Sequence, residues 1–166
     1  ERGAIPCAAV PGPDGRLVNP GSQVLVRLAS LADCLIVEAD GSKGLPMKAP
    51  ADWEPALPPG WDKLIAVAGL SALGQPLNRV CHRPELAAPL LGVAGDATVT
   101  PELMAKLLLS PAGQMKGVTD RGRFRILLNQ ADAEDPRPVA EAIHTLAPDL
   151  RVAAASLKER RCFLPY

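Results

Sequence analysis

The sequence predicts an α/β domain of three layers around a mostly parallel sheet, and three observations carry that prediction. Short runs that are apolar throughout recur along the chain, as in strands covered on both faces. Stretches with apolar residues at helical spacing separate them. Capping residues and prolines stand where helices should begin, which completes a strand–helix alternation.

Residues 1–21 hold Pro6, Pro11, Pro13 and Pro20 among several glycines and read as an irregular lead-in. Ser22 predicts a helix start, with Val24, Leu28 and Leu31 on one face. Cys34-Leu35-Ile36-Val37 predicts the first strand, stopped by Glu38-Ala39-Asp40-Gly41. Residues 42–60 are proline-rich and carry Lys43, Lys48, Trp53 and Glu54; a connection of that length in a compact domain points to function. Residues 64–68 predict a second strand ending at Gly69, and a mainly helical block follows. Within it Thr100-Pro101-Glu102 combines a capping hydroxyl with proline at the first helical position, ahead of an apolar stripe of Leu103, Met104, Leu107 and Leu108. Residues 124–128 predict a third strand that runs into Asn129-Gln130-Ala131-Asp132. Asp135-Pro136 opens a helix with Val139, Ile143 and Leu146 on one face, and residues 151–155 form a last strand leading to Ser156. With no repeat and no linker, 1–166 reads as one domain.

Composition narrows the function classes. The 166 residues are 48% hydrophobic and 22% charged, as in globular proteins. Eighteen basic against eighteen acidic side chains leave a formal net charge of zero, which argues against nucleic acid as the partner. Aromatics at 3% supply neither stacking platforms nor a membrane-interface belt. No apolar run approaches the roughly 20 residues of a membrane span. The opening Glu1-Arg2-Gly3-Ala4 is not a signal peptide, and Cys7, Cys34, Cys81 and Cys162 are scattered, so the expectation is a cytoplasmic protein with reduced thiols. Because the chain does not start with Met, further residues are expected upstream.

Parallel sheets bind ligands beyond the carboxyl ends of their strands. That rule selects Glu38 and Asp40, then Asn129 and Asp132, then Ser156. Carboxylates there can hold Mg²⁺ or orient an attacking water; alternatively they cap helices or pair with Lys43. Asn129-Gln130-Ala131-Asp132 has the outline of the Asn-Lys-x-Asp element that reads guanine in many GTPases, the Asp accepting from the base and the Asn bracing the loop. Ala155-Ser156-Leu157-Lys158 resembles the loop that completes such pockets, and Gln130 keeps an apolar stem while losing the Lys charge. The other reading is a plain Asx turn. No phosphate-binding loop of either common glycine-rich pattern is present in the sequence. Gly41-Ser42-Lys43-Gly44 is glycine-rich, and its backbone N–H groups could nest an anion. His82-Arg83, ahead of Pro84-Glu85, offers a proton donor and a phosphate clamp, or a helix cap, and Cys81 beside it reads as a buried thiol.

The run from Val37 through Glu38-Ala39-Asp40-Gly41-Ser42-Lys43-Gly44-Leu45-Pro46-Met47-Lys48-Ala49 to Pro50 is long and distinctive. It resembles the signature of the bacterial YqeC-like family, accessory proteins of selenium-dependent molybdenum hydroxylases. Glu54-Pro55, the stretch 69–77, His82-Arg83-Pro84-Glu85, Thr100-Pro101-Glu102, Gly113-Gln114-Met115-Lys116 and the stretch 127–132 fall in the family's order. The resemblance implies a P-loop NTPase-like domain whose phosphate loop precedes residue 1, so that the chain alone would be inactive as an NTPase. It also implies a role in maturing the selenium-containing molybdenum cofactor, with the hydroxylase or other maturation proteins as partners. Mg²⁺ with ATP or GTP is the expected cofactor, and a molybdopterin-type ligand is possible. Lys43 and Lys48 would then contact phosphate or a pterin-borne anion. A non-enzymatic pterin chaperone and a nucleotidyltransferase are the competing readings. Gln130 and Trp53 depart from the family's usual Lys and His.

Overall fold

The computed structural model describes residues 6–12, 15 and 17–163. They fall into two units, 6–38 with 57–60 and 39–56 with 61–163. Of the predicted lead-in, residues 1–5, 13, 14 and 16 lie outside the described residues.

In the first unit β1 (Val10–Pro11) pairs antiparallel with β2 (Leu17–Val18), followed by α1 (Ser22–Ala29). The cap of α1 is Gly21 rather than Ser22, and Asn19 Oδ1 accepts from the Gly21 N–H at 2.8 Å. Leu25 is the buried residue of this helix, whereas Val24 and Leu31 stand exposed. The strand expected over residues 34–37 does not form. A strand exists where a neighbour takes its backbone hydrogen bonds. Among the described residues this run has no such neighbour, and Ile36 is 90% exposed.

The second unit opens with β3 (Met47–Lys48), β4 (Leu64–Gly69), a 3₁₀ turn at Leu70–Ala72, α2 (Leu77–Val80) and β5 (Cys81–His82). It continues with α3 (Pro84–Leu91), α4 (Pro101–Leu109), β6 (Phe124–Asn129), α5 (Arg137–Leu146), β7 (Arg151–Ser156) and β8 (Arg161–Phe163). The main sheet has the order β4-β6-β7-β8, parallel except for β8, and β3 pairs parallel with β5 in a second, two-stranded sheet. An α/β architecture with parallel strands is therefore present.

Local chemistry places the helices. Thr100 Oγ1 accepts from the Leu103 N–H at 3.3 Å, Pro101 occupies the first helical position, and Met104, Leu107 and Leu108 are buried. Asp135 Oδ1 accepts from the Arg137 N–H at 3.0 Å, and Val139, Ala140 and Ile143 face the core while Leu146 does not. The buried stripes of α3, α4 and α5 join Ala66, Ala68, Phe124, Ile126, Leu128, Val152 and Ala154 in one core.

The strands are covered on one face, not on both as the sequence suggested. Ile65 and Val67 are 57% and 53% exposed, Arg151 is exposed, and Arg125, Leu127 and Ala153 are half-buried. Side chains alternate along a strand, so these residues share the face opposite the helices. Arg125 and Arg151 are the sequence cue to that open face. No helix among the described residues is long and apolar enough to cross a membrane.

Candidate functional site

The second unit gathers polar side chains at two places, and the end of β4 touches both. The first is the edge where β4, β6 and β7 finish level, Gly69 opposite Asn129 and Asn129 opposite Ala155. Parallel pairing thus brings Asn129, Asp132 and Ser156 together, as their positions in the sequence suggested. Asn129 Oδ1 accepts from the Leu157 N–H at 3.2 Å, and Ala131 N–H donates to the Ala155 carbonyl at 3.1 Å. Asn129 therefore braces the neighbouring loop. In an Asx turn it would instead accept from its own chain two residues on.

Ser156 is fully buried, and its Oγ accepts from the Glu159 N–H at 3.2 Å. The Ser156 hydroxyl also engages the Asp132 carboxylate and, helped by the Asp132 N–H and the Lys158 charge, holds its pKa below the usual range. Asp132 itself is exposed. The result is an ionised acceptor on the carboxyl edge of a parallel sheet.

Gln130 turns the other way. Its φ is 66°, and its Oε1 accepts from Ser71 Oγ at 2.6 Å and Ser71 N–H at 3.3 Å, on the β4 side of β6. Gly69 makes room for it, because a Cβ there would lie 2.3 Å from Gln130 Oε1 and 2.7 Å from Pro46 Cβ. Gln130 is thereby a tie between strand ends.

The second place is the loop from residue 40 to 55, held to β4 by the Gly69 N–H on the Pro46 carbonyl at 2.7 Å. Ser42, Lys43, Gly44 and Leu45 form a tight turn closed by the Leu45 N–H on Ser42 O at 3.1 Å, with φ 55° at Lys43 and 77° at Gly44. Positive φ at both central residues is the type I′ pattern, which suits Gly44 and strains Lys43. Gly41 and Lys43 are exposed, and Ser42 and Asp40 half-buried.

Lys48 is 5% exposed and fully engaged. Its Nζ lies 2.8 Å from the Gly41 carbonyl, 3.0 Å from Glu54 Oε1 and 3.3 Å from Asp40 Oδ2. Arg83 meets the same Glu54 carboxylate with both guanidinium arms, at 2.7 and 3.2 Å, and lies over the Trp53 ring at 5.8 Å. Burial raises the Glu54 pKa, but the Ala51 N–H, Lys48 and Arg83 outweigh it and hold the carboxyl at about 2. Desolvation, with Arg83, Lys43 and Lys48 nearby, lowers the His82 pKa and favours its neutral ring. Burial pushes the Cys81 thiol up to about 11, opposite to what a nucleophilic thiolate needs.

Of the predicted site residues, Asp40, Lys48 and Arg83 thus meet around Glu54, which sequence reasoning had not selected. Glu38 is exposed in the first unit, whereas Asp40 belongs to the second. Reasoning from strand ends also passed over Ser71, Gln114 and Lys116. Gln114 Nε2 donates to the Lys48 carbonyl at 2.6 Å, and Lys116 Nζ to the Ala51 and Asp52 carbonyls at 2.8 and 3.0 Å. The cue for these two was the Gly113-Gln114-Met115-Lys116 landmark, whose task is to clamp the loop from the far side.

The YqeC protein family matches residues 2–85, half of the chain, a span that takes in the whole Lys48–Glu54–Arg83 cluster. "Uncharacterized protein YqeC" of Escherichia coli (strain K12) is 37% identical over 87 residues, 52% of this chain. The chain covers about a third, 34%, of that relative's length. No solved structure matches it. With its signature loop, its ion cluster and half its length inside the match, the chain belongs to the YqeC family.

Proposed function

We propose that the protein is a nucleotide-dependent accessory factor in maturing the cofactor of selenium-dependent molybdenum hydroxylases, with a P-loop NTPase-like fold and a base site at the ends of β6 and β7. The observation that carries this reading is the Asn129 brace between the ends of β6 and β7. Asn129 grips the Leu157 amide, with the exposed Asp132 and the buried Ser156 beside it, on the edge where open parallel sheets bind ligands. Asp40 supplies hard carboxylate oxygens suited to Mg²⁺. Mg²⁺ would share Asp40 with Lys48, whose Nζ is 3.3 Å from Oδ2. Exposed Lys43 offers a positive charge to phosphate. The hydroxylase or its maturation proteins are the partners, and the cytoplasm the compartment, in this reading.

A chaperone that cradles a molybdopterin-type anion in the 41–50 loop has less support. Lys48 and Arg83 are already neutralised by Asp40 and Glu54. The test is a calorimetric titration of the full-length protein with ATP and with GTP, each with and without Mg²⁺. One nucleotide should bind in a Mg²⁺-dependent way, and Asp40→Asn should weaken the Mg²⁺ effect on the order of tenfold. Binding of neither nucleotide contradicts the proposal.

A further inference from the structure

Among the described residues Lys43, Arg83, Gln130 and Arg160 have positive φ without being glycine, and Gln130, at 66°, lies inside the 129–132 loop. A residue with a Cβ disfavours that left-handed backbone, so its surroundings must hold it there. Toward β7 the loop is pinned by Ala131 N–H on the Ala155 carbonyl at 3.1 Å and by Asn129 Oδ1 on the Leu157 N–H at 3.2 Å. Toward β4 the Gln130 side chain makes the link. Its Oε1 accepts from both donors of Ser71, the hydroxyl at 2.6 Å and the N–H at 3.3 Å.

Ser71 is a rigid post for that link. It is exposed, but it stands in the 3₁₀ turn between Leu70 and Ala72, both completely buried. The Leu73 N–H closes the turn on the Leu70 carbonyl at 3.0 Å. Gly69 leaves the path open, since a Cβ there would collide with Gln130 Oε1. The link needs an acceptor at 130; a lysine carries donors alone and would meet neither Ser71 donor.

We propose that Ser71 is a positioning residue of the base site. By gripping Gln130 it holds the left-handed turn that sets Asn129 and Asp132 at the strand ends. The inference rests on the base site proposed there, and it adds a residue from the end of β4 that acts through Gln130 rather than on the ligand.

The experiment titrates the full-length protein calorimetrically with Mg²⁺-ATP and with Mg²⁺-GTP. The forms compared are wild type, Ser71→Ala, Ser71→Thr, Gln130→Gly and the double variant Ser71→Ala/Gln130→Gly. Thermal melts and hydrogen exchange without nucleotide accompany the titrations. Where the wild type binds one nucleotide, Ser71→Ala weakens it on the order of fivefold, and Ser71→Thr, which keeps the hydroxyl, restores the affinity. Glycine takes positive φ freely, so Gln130→Gly keeps the turn and removes the need for Ser71. In that background Ser71→Ala changes the affinity by less than about twofold. The Ala133 amide, which donates to the Gln130 carbonyl at 3.0 Å, exchanges faster in Ser71→Ala. Its melting temperature stays within about 2 °C of wild type, because the pair lies at the surface.

Wild-type affinity in Ser71→Ala, or unchanged exchange at Ala133, overturns the proposal. So does an equal loss when Ser71→Ala is added to Gln130→Gly, because Ser71 would then act by another route. A melt that falls in step with the affinity makes Ser71 a stability residue and overturns the proposal too. All of these leave nucleotide dependence standing. A wild type that binds neither nucleotide removes the base site itself, and the positioning role with it.

Discussion

Lys48 carries its charge to a position where only 5% of the residue meets solvent, a location that costs several kcal/mol unless every proton of the ammonium is met. Here two carboxylates and one carbonyl meet it, and among the described residues no buried side-chain nitrogen or oxygen lacks a partner. The arrangement explains why a lysine inside a family signature is better read as holding the loop than as reaching for an anion. It also makes the loop acid-sensitive through Glu54. A carboxyl lowered from 4.5 to about 2 binds its proton less readily in the folded chain than in the unfolded one. Its contribution is therefore complete above about pH 4.5 and is lost as the pH falls toward 2, on the order of 3 kcal/mol in all. Chemical denaturation between pH 6 and pH 2 should show that slope, and Glu54→Gln should be less stable at pH 6 and flatter toward acid. An unchanged slope in the variant would remove Glu54 from its central place.

Gly69 shows how elements are joined rather than how one residue is stabilised. It ends β4, donates to Pro46, and leaves space into which Gln130 reaches from β6 to Ser71. A methyl group at 69 meets both Gln130 Oε1 and the Pro46 ring, so Gly69→Ala should cost about 1–3 kcal/mol in a denaturation experiment. Adding Gln130→Ala should recover part of that cost, since the Pro46 contact persists. The sequence made the β4, β6 and β7 strands and the α4 cap legible because apolar runs and Thr100-Pro101 are local signals. It misplaced residues 34–37 because an apolar run states a preference for burial, not the presence of a pairing neighbour. At the candidate site Asn129, Asp132 and Ser156 were found by one rule about strand ends. Glu54, Ser71 and Gln114 were not, because each acts across 29 to 66 residues of sequence on a partner that only the fold brings near, Arg83, Gln130 and Lys48 in turn.

At the scale of the whole molecule, two features bear on function together. The charge is balanced at zero, and the candidate site residues with partners lie at the carboxyl edge of the main sheet and in the loop beside it. The face of that sheet away from the helices presents Ile65 and Val67 to solvent, and β4 is an edge strand. The family match covers the loop, while Asn129, Asp132 and Ser156 lie outside it, so the base site is tested by its own measurement. Hydrogen exchange of the full-length protein with and without Mg²⁺-GTP supplies it. The account predicts slowed exchange through residues 129–132 and at the Leu157 and Glu159 amides, which Asn129 and Ser156 hold. A protein that binds the nucleotide while those amides exchange at unchanged rates would contradict it.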